Sequence, residues 1–135
     1  MQSRRLGWSL GIDLVPAKTC NFNCPFCQVG TTPQPTLARR AYVPLREVLD
    51  ELEDWCARGE RADVITLAGS GEPTLHSGCG EVLSAVRAWR QHRALLLSNG
   101  ALLYRPPVRR DACRADVVKA SLSAWDQASF ARINR

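Results

Sequence analysis

Residues 63–69 read Asp-Val-Ile-Thr-Leu-Ala-Gly, a β-branched apolar run that stops at a glycine. With no polar alternation, such a run is the pattern of a strand buried on both faces, as in a parallel sheet. On its N-terminal side Leu45, Val48, Leu49, Leu52, Trp55 and Cys56 recur at intervals of three and four. This predicts a one-sided helix of about four turns, with Pro44 at its first position and Gly59 as its stop. Residues 9–15 (SLGIDLV) suit a first strand, and residues 16–43 lack periodicity. On the C-terminal side Ser77 can cap a second helix in which Val82, Val86 and Trp89 share a face. Residues 94–97 form a third apolar run, Pro106 and Pro107 leave room for a short helix, residues 116–121 form a fourth strand, and Asp126 caps a last helix.

The order βαβαβαβα, without a hairpin signal, predicts an α/β fold with a parallel sheet and right-handed crossovers. A complete parallel barrel needs roughly 250 residues, and the chain has 135. The expectation is the (βα)4 portion of a partial TIM-like barrel, one domain over residues 1–135 with no internal linker. Ligands of such folds bind at the carboxyl ends of the strands. Those ends are residues 18–30, 69–76, 98–100 and 121–123.

Composition removes several classes. With 45% hydrophobic and 23% charged residues the chain has the proportions of an ordinary globular domain, not a disordered one. It contains no uncharged apolar stretch of about 18 residues that could span a membrane. The twin arginine at Arg4 and Arg5 precedes a stretch interrupted by Asp13 and Lys18, so it reads as no export signal, and a cytoplasmic location is expected. Six cysteines in a reducing compartment point to metal or catalysis before disulfides. The net charge of +5 is lopsided: residues 86–135 hold ten basic and three acidic groups. That surface suits phosphate, as in RNA; the alternative is a solvated face rich in arginine.

Cys20, Cys24 and Cys27 place three thiols in eight residues, spaced C-x3-C-x2-C, just after the first strand. Three is informative, because a closed zinc or iron-sulfur site takes four protein ligands, whereas three thiolates on a cubane leave one iron open. Positions 20, 24 and 27 would also share a helix face, but Pro25, Asn21 and Asn23 disfavour a helix there. A zinc site would want a fourth ligand, for which His76 is the candidate near a strand end.

At these residues the sequence resembles the radical S-adenosylmethionine (SAM) superfamily, whose signature C-x3-C-x-aromatic-C is matched by Cys20, Cys24, Phe26 and Cys27. The resemblance implies a 4Fe-4S cluster on the three thiolates, with S-adenosylmethionine on the open iron and Phe26 near the adenine. It implies reductive cleavage of that cofactor to methionine and a 5′-deoxyadenosyl radical that abstracts hydrogen. Ser70, Gly71, Glu72 and Pro73 resemble the family's G-G-E-P turn, with serine for the first glycine, and would bind the methionyl amine through backbone carbonyls. Ser98 and Asn99 resemble a T-N-G turn, and Ser121 lies where the family often places a contact to the cofactor's ribose or carboxylate. For these last three, a turn that caps a strand or helix is an equal reading.

Across residues 9–135, SLGIDLVP, CNFNCPFCQVGTT, DVITLAGSGEPTLH, LSNG, ASLSAWD and FARINR look like a bacterial and archaeal branch related to the tRNA wyosine-synthesis enzymes. No cysteine precedes Cys20 and Ser123 replaces an expected aspartate, two departures that bear on substrate. By the resemblance the chain is an N-terminal part that holds the cluster and half of the cofactor site. It would take its electron from a donor such as a flavodoxin or ferredoxin and act on an unknown substrate, tRNA or other RNA being one candidate. The rivals are a non-catalytic zinc-binding module and an inactive truncated fragment. Three structural expectations follow: converging cysteine sulfurs, a Ser70-to-Pro73 turn beside them with an unpaired carbonyl, and an exposed fourth strand at the sheet edge.

Overall fold

The computed structural model describes residues 2, 3 and 5–135. The elements are β1 (Gln2–Ser3), β2 (Gly7–Ile12), α1 (Leu45–Ala57), β3 (Val64–Leu67), α2 (Cys79–Ala88), β4 (Arg93–Ser98), α3 (Pro106–Ala112), β5 (Val117–Ala120) and α4 (Gln127–Asn134), with a 3-10 turn at Pro73–Leu75. The sheet has the order β1-β2-β3-β4-β5. From β2 to β5 the strands are parallel, Ser9 lying opposite Val64, Val64 opposite Arg93 and Leu95 opposite Val117. The α/β class and the four-stranded parallel sheet are those read from the sequence.

β1 is a departure. It pairs antiparallel with β2, Gln2 opposite Trp8 and Ser3 opposite Gly7. Its two residues are too few to carry an alternation, which is why no hairpin signal was visible. The parallel strands start and stop as their ladder dictates. β2 ends at Ile12, opposite Leu67, and Asp13 beyond it turns its carboxylate to accept from the backbone N–H groups of Ser70 (2.8 Å) and Val15 (3.3 Å). Pro44 stands just outside α1 in extended conformation. Ser77 does not cap α2: Gly78 occupies that position, and its N–H donates to His76 Nδ1 at 3.0 Å. Asp126 caps α4 as expected, accepting from Ser129 N at 2.9 Å.

Successive side chains of a strand face opposite ways. Ile12, Ile65, Leu67, Ala94 and Leu96 therefore share one sheet face, where they pack against Leu52 and Trp55 of α1, Val82, Leu83 and Val86 of α2, and Ala112 of α3. Burying each large apolar side chain in such a core contributes about 1.5–3 kcal/mol. The other face carries Ser9, Gly11, Thr66, Ala68, Leu97 and Lys119 along a cavity of about 940 Å³. Helices α1 to α3 thus sit on one side, the arrangement of a barrel wall rather than a doubly covered sheet. Among the described residues β5 pairs with β4 alone, and most of it is exposed, Val118 to 40%.

Candidate functional site

The parallel strands deliver four loops to one end of the sheet. The first, after β2, carries the cysteines and is held by short-range turns: Cys27 N donates to Cys24 O at 3.1 Å and Gly30 N to Cys27 O at 3.0 Å. Thr32 ties the loop across itself, its hydroxyl donating to Phe22 O at 2.7 Å and its N–H to Asn23 Oδ1 at 2.8 Å. All three thiols are free and partly exposed.

Each thiol has its own polar neighbour. Cys20 Sγ faces Phe22 N at 3.5 Å and Asn99 Nδ2 at 3.7 Å. Cys24 Sγ faces Asn134 O at 3.8 Å, and Cys27 Sγ faces Lys18 Nζ at 3.3 Å. Burial, and then the neighbouring charges of Cys20 and Cys27, push the Cys24 thiol up. Burial raises Cys20 too, against the Phe22 N–H that lowers it. Burial also works against the Cys27 thiolate, but N–H groups of Val29 and Gly30 and the Lys18 ammonium outweigh it, so Cys27 lies below an ordinary thiol. Cys24 therefore senses both other cysteines. The side chains nevertheless stay on their protein partners: among the described residues no three His, Cys, Asp or Glu side chains are already disposed to hold a metal ion.

The glycine turn after β3 lies directly on this loop. Lys18 N donates to Ser70 O at 2.7 Å and Glu72 N to Thr19 O at 2.9 Å. A Cβ on Gly71 would stand 2.1 Å from Thr19 O, so only glycine permits this approach. Gly69 has φ +138°, and a Cβ there would meet the Asp13 carboxylate. The carbonyls of Gly69 and Gly71 accept no hydrogen bond from a described residue.

The side chain of Glu72 turns inward, 2% exposed. Its Oε1 accepts from Ser98 Oγ (2.7 Å), Thr74 Oγ1 (2.6 Å) and Thr74 N (3.2 Å), and its Oε2 from Asn99 N (2.8 Å). The carboxylate thus clamps the β3 and β4 ends together. Pro73 is buried and opens the 3-10 turn. Ser98 is buried beside Glu72, and the Asn99 amide bridges to Asn21 Oδ1 at 2.8 Å as well as to Cys20. The side chains of Glu72 and Ser98 are committed to the protein, as are the carbonyls of Ser70, Glu72 and Pro73, which leaves those of Gly69 and Gly71. Ser121 is exposed and tied through its N–H to Ser98 O at 3.0 Å; Phe26 is 61% exposed between the cysteines.

Sequence reasoning missed the fourth wall. α4 comes back over the cysteine loop: Asn23 N donates to Asn134 O at 3.0 Å, Ser123 Oγ meets Asn134 Oδ1 at 2.7 Å, and Phe22 packs edge-on against Phe130 at 5.4 Å. It also missed Lys18, whose left-handed backbone (φ 63°) throws its ammonium across the loop. His76, the fourth ligand a zinc site would need, is fully buried with both ring nitrogens used, Nε2 on Val43 O at 2.9 Å and Nδ1 on Gly78 N. It is a strut.

Residues 14–123 match the pattern of the Radical SAM superfamily. The chain belongs to the radical SAM superfamily. A UPF0026 protein of Synechocystis sp. is 38% identical over 136 residues, covering 100% of this chain and 51% of its own length. A UPF0026 protein of Methanocaldococcus jannaschii is 33% identical over 135 residues, 98% of this chain and 42% of its own. A Brachyspira hyodysenteriae protein named GTPase Obg is 36% identical over 133 residues, 98% of this chain but 20% of its own. The radical SAM chain thus spans about half the length of its UPF0026 relatives, or less. The match takes in a fifth of the Brachyspira protein, and its name describes that protein as a whole. The UPF0026 names do not specify a wyosine-synthesis branch or a substrate. No helix among the described residues is long and apolar enough to cross a membrane.

Proposed function

We propose that residues 1–135 are the cluster-holding and S-adenosylmethionine-holding part of a radical SAM enzyme. The observation that carries this is the junction of two strand ends: three free thiols on one loop, docked by two backbone hydrogen bonds onto a glycine turn whose Gly69 and Gly71 carbonyls are free. The donor set fits a 4Fe-4S cluster: three free thiols lie on one loop, Cys20 and Cys27 beside N–H or ammonium donors, and among the described residues His76, the candidate fourth ligand of a closed zinc site, is taken up elsewhere. When bound, the cluster and S-adenosylmethionine supply one-electron cleavage to methionine and a 5′-deoxyadenosyl radical, the oxidant for hydrogen abstraction.

The chain's own residues do the holding. Cys20, Cys24 and Cys27 would ligate; in the turn that runs through Ser70 to Pro73 the free carbonyls of Gly69 and Gly71 accept from the methionyl ammonium; Phe26 offers an apolar face to the adenine. Glu72, Ser98 and Asn99 keep that geometry, and Ser121 is the exposed hydroxyl at the last strand end. A small reductant protein of the flavodoxin or ferredoxin class delivers the electron in a cytoplasmic setting. The substrate class that suits the ten basic and three acidic groups of residues 86–135 is anionic, tRNA or other RNA, and salt-dependent tRNA binding tests it.

Anaerobic reconstitution with iron and sulfide, followed by ultraviolet-visible and EPR spectra, tests the cluster. A brown protein with about four irons per chain supports the reading. A colourless protein that takes up zinc instead, or neither metal, overturns it. 5′-Deoxyadenosine formation under dithionite then tests cleavage.

A further inference from the structure

We propose that Lys18 is the positioning residue that supplies the positive charge beside the cluster and raises its reduction potential. This rests on the cluster reading above. The three thiols are not equivalent: Cys20 has amide N–H neighbours, Cys24 faces a carbonyl oxygen, and Cys27 has a cation. Lys18 Nζ stands 3.3 Å from Cys27 Sγ and also donates to the Gly30 carbonyl, so the ammonium is anchored to the far end of the loop it charges. Its backbone is anchored as well, since the Lys18 N–H donates to Ser70 O at 2.7 Å. Lysine rarely adopts φ 63°, a strained backbone for a side chain of its kind. The extra anchors hold it there, with the ammonium fixed beside the Cys27 thiol.

Adding one electron to the cluster adds one negative charge to a site where three thiolates already repel. A fixed cation within about 4 Å of a ligand sulfur stabilises the reduced form more than the oxidised form, because Coulomb energy scales with the charge it faces. Lys18 is partly shielded from water, so screening removes less of this effect than at an open surface. No other Lys or Arg side chain makes a hydrogen bond or ion pair to any of the three thiols among the described residues. Lys119 lies on the open face of the sheet, along the cavity it shares with Ser9, Thr66 and Leu97.

The test compares the full chain with Lys18→Met and Lys18→Arg after anaerobic reconstitution. Iron and sulfide content, the EPR signal of the reduced cluster and its midpoint potential, from dithionite titration followed by EPR, are measured at one pH. The expected result is equal iron content in all three, a midpoint shifted to more negative values in Lys18→Met, and recovery of most of that shift in Lys18→Arg. Equal midpoints in loaded wild type and Lys18→Met overturn the proposal while the cluster reading stands. Should Lys18→Met load poorly, the potential of its loaded fraction is still read from EPR, and an unshifted value again overturns it. Failure of the wild-type chain itself to take up iron overturns the cluster reading, and the proposal with it.

Discussion

Replacing Glu72 by glutamine changes one oxygen for an NH2 group in a site where every partner is a donor. The carboxylate receives four hydrogen bonds, three on Oε1 and one on Oε2 from Asn99 N at 2.8 Å. The least costly orientation of the amide puts its NH2 against Asn99 N–H and keeps the three contacts from Thr74 and Ser98. That still removes one bond to a charged acceptor, about 1.5–3 kcal/mol, and leaves two donors facing each other in a buried place. The expected loss is about 2–4 kcal/mol, a large part of the stability of an ordinary domain. Urea unfolding followed by far-ultraviolet circular dichroism should show the midpoint falling by about 1–2 M, taking a slope of about 2 kcal/mol/M. A double-mutant cycle with Ser98→Ala should show coupling above about 0.5 kcal/mol, since the two side chains touch. A Glu72→Gln loss below about 0.5 kcal/mol would refute the clamp and return Glu72 to the set of ligand-facing side chains.

Gly69→Ala should lower stability by about 1–3 kcal/mol, because φ +138° is glycine territory and the new methyl meets Asp13; a thermal melt unchanged within a degree contradicts this. In the metal-free protein the lowered Cys27 thiol should be alkylated by iodoacetamide ahead of the raised Cys20 and Cys24, and its rate should level off at lower pH, since a lower pKa gives more thiolate. Peptide mapping by mass spectrometry reads the order, and equal labelling would count against it. Phe130→Ala should cost about 0.5–1.5 kcal/mol beyond its buried area by removing the edge-on contact with Phe22. It should also speed alkylation of Cys24; unchanged rates would mean that α4 does not brace the loop.

The sheet was legible because its strands are short apolar runs closed by glycine or polar turns, as at residues 63–69 and 94–100. Local pattern carries that information. The cysteine triplet was legible for the same reason, being a spacing within one loop. Other features were hidden because they depend on residues far apart in the chain. Nothing near Glu72 in the sequence says that its carboxylate meets Ser98 and Asn99 from the next strand end, so it read as a ligand contact rather than a clamp. Lys18 and Asn134 show the same limit: one acts through a positive φ that no motif announces, the other across 110 residues. The cap of α2 was misplaced by one residue: Gly78 stands there with no side-chain cap, its own N–H held by His76 Nδ1.

The span between Cys24 and Asn134 has a temporal meaning. Their contact joins residues 110 apart, and at a synthesis rate of roughly 5–20 residues per second Asn134 is made several seconds or more after Cys24. During that interval the β2 loop emerges with its thiols and without the helix that packs on Phe22 and Asn23. Closing so long a loop also carries the larger entropy cost, which favours late docking of α4 over early docking. The α4 side of the cysteine loop therefore matures last, and a nascent chain halted before residue 130 would leave Cys24 without its Asn134 partner. Pulse-alkylation of stalled chains of increasing length should show protection of Cys24 appearing as a step once residues 127–134 are free to dock, not as a gradual rise.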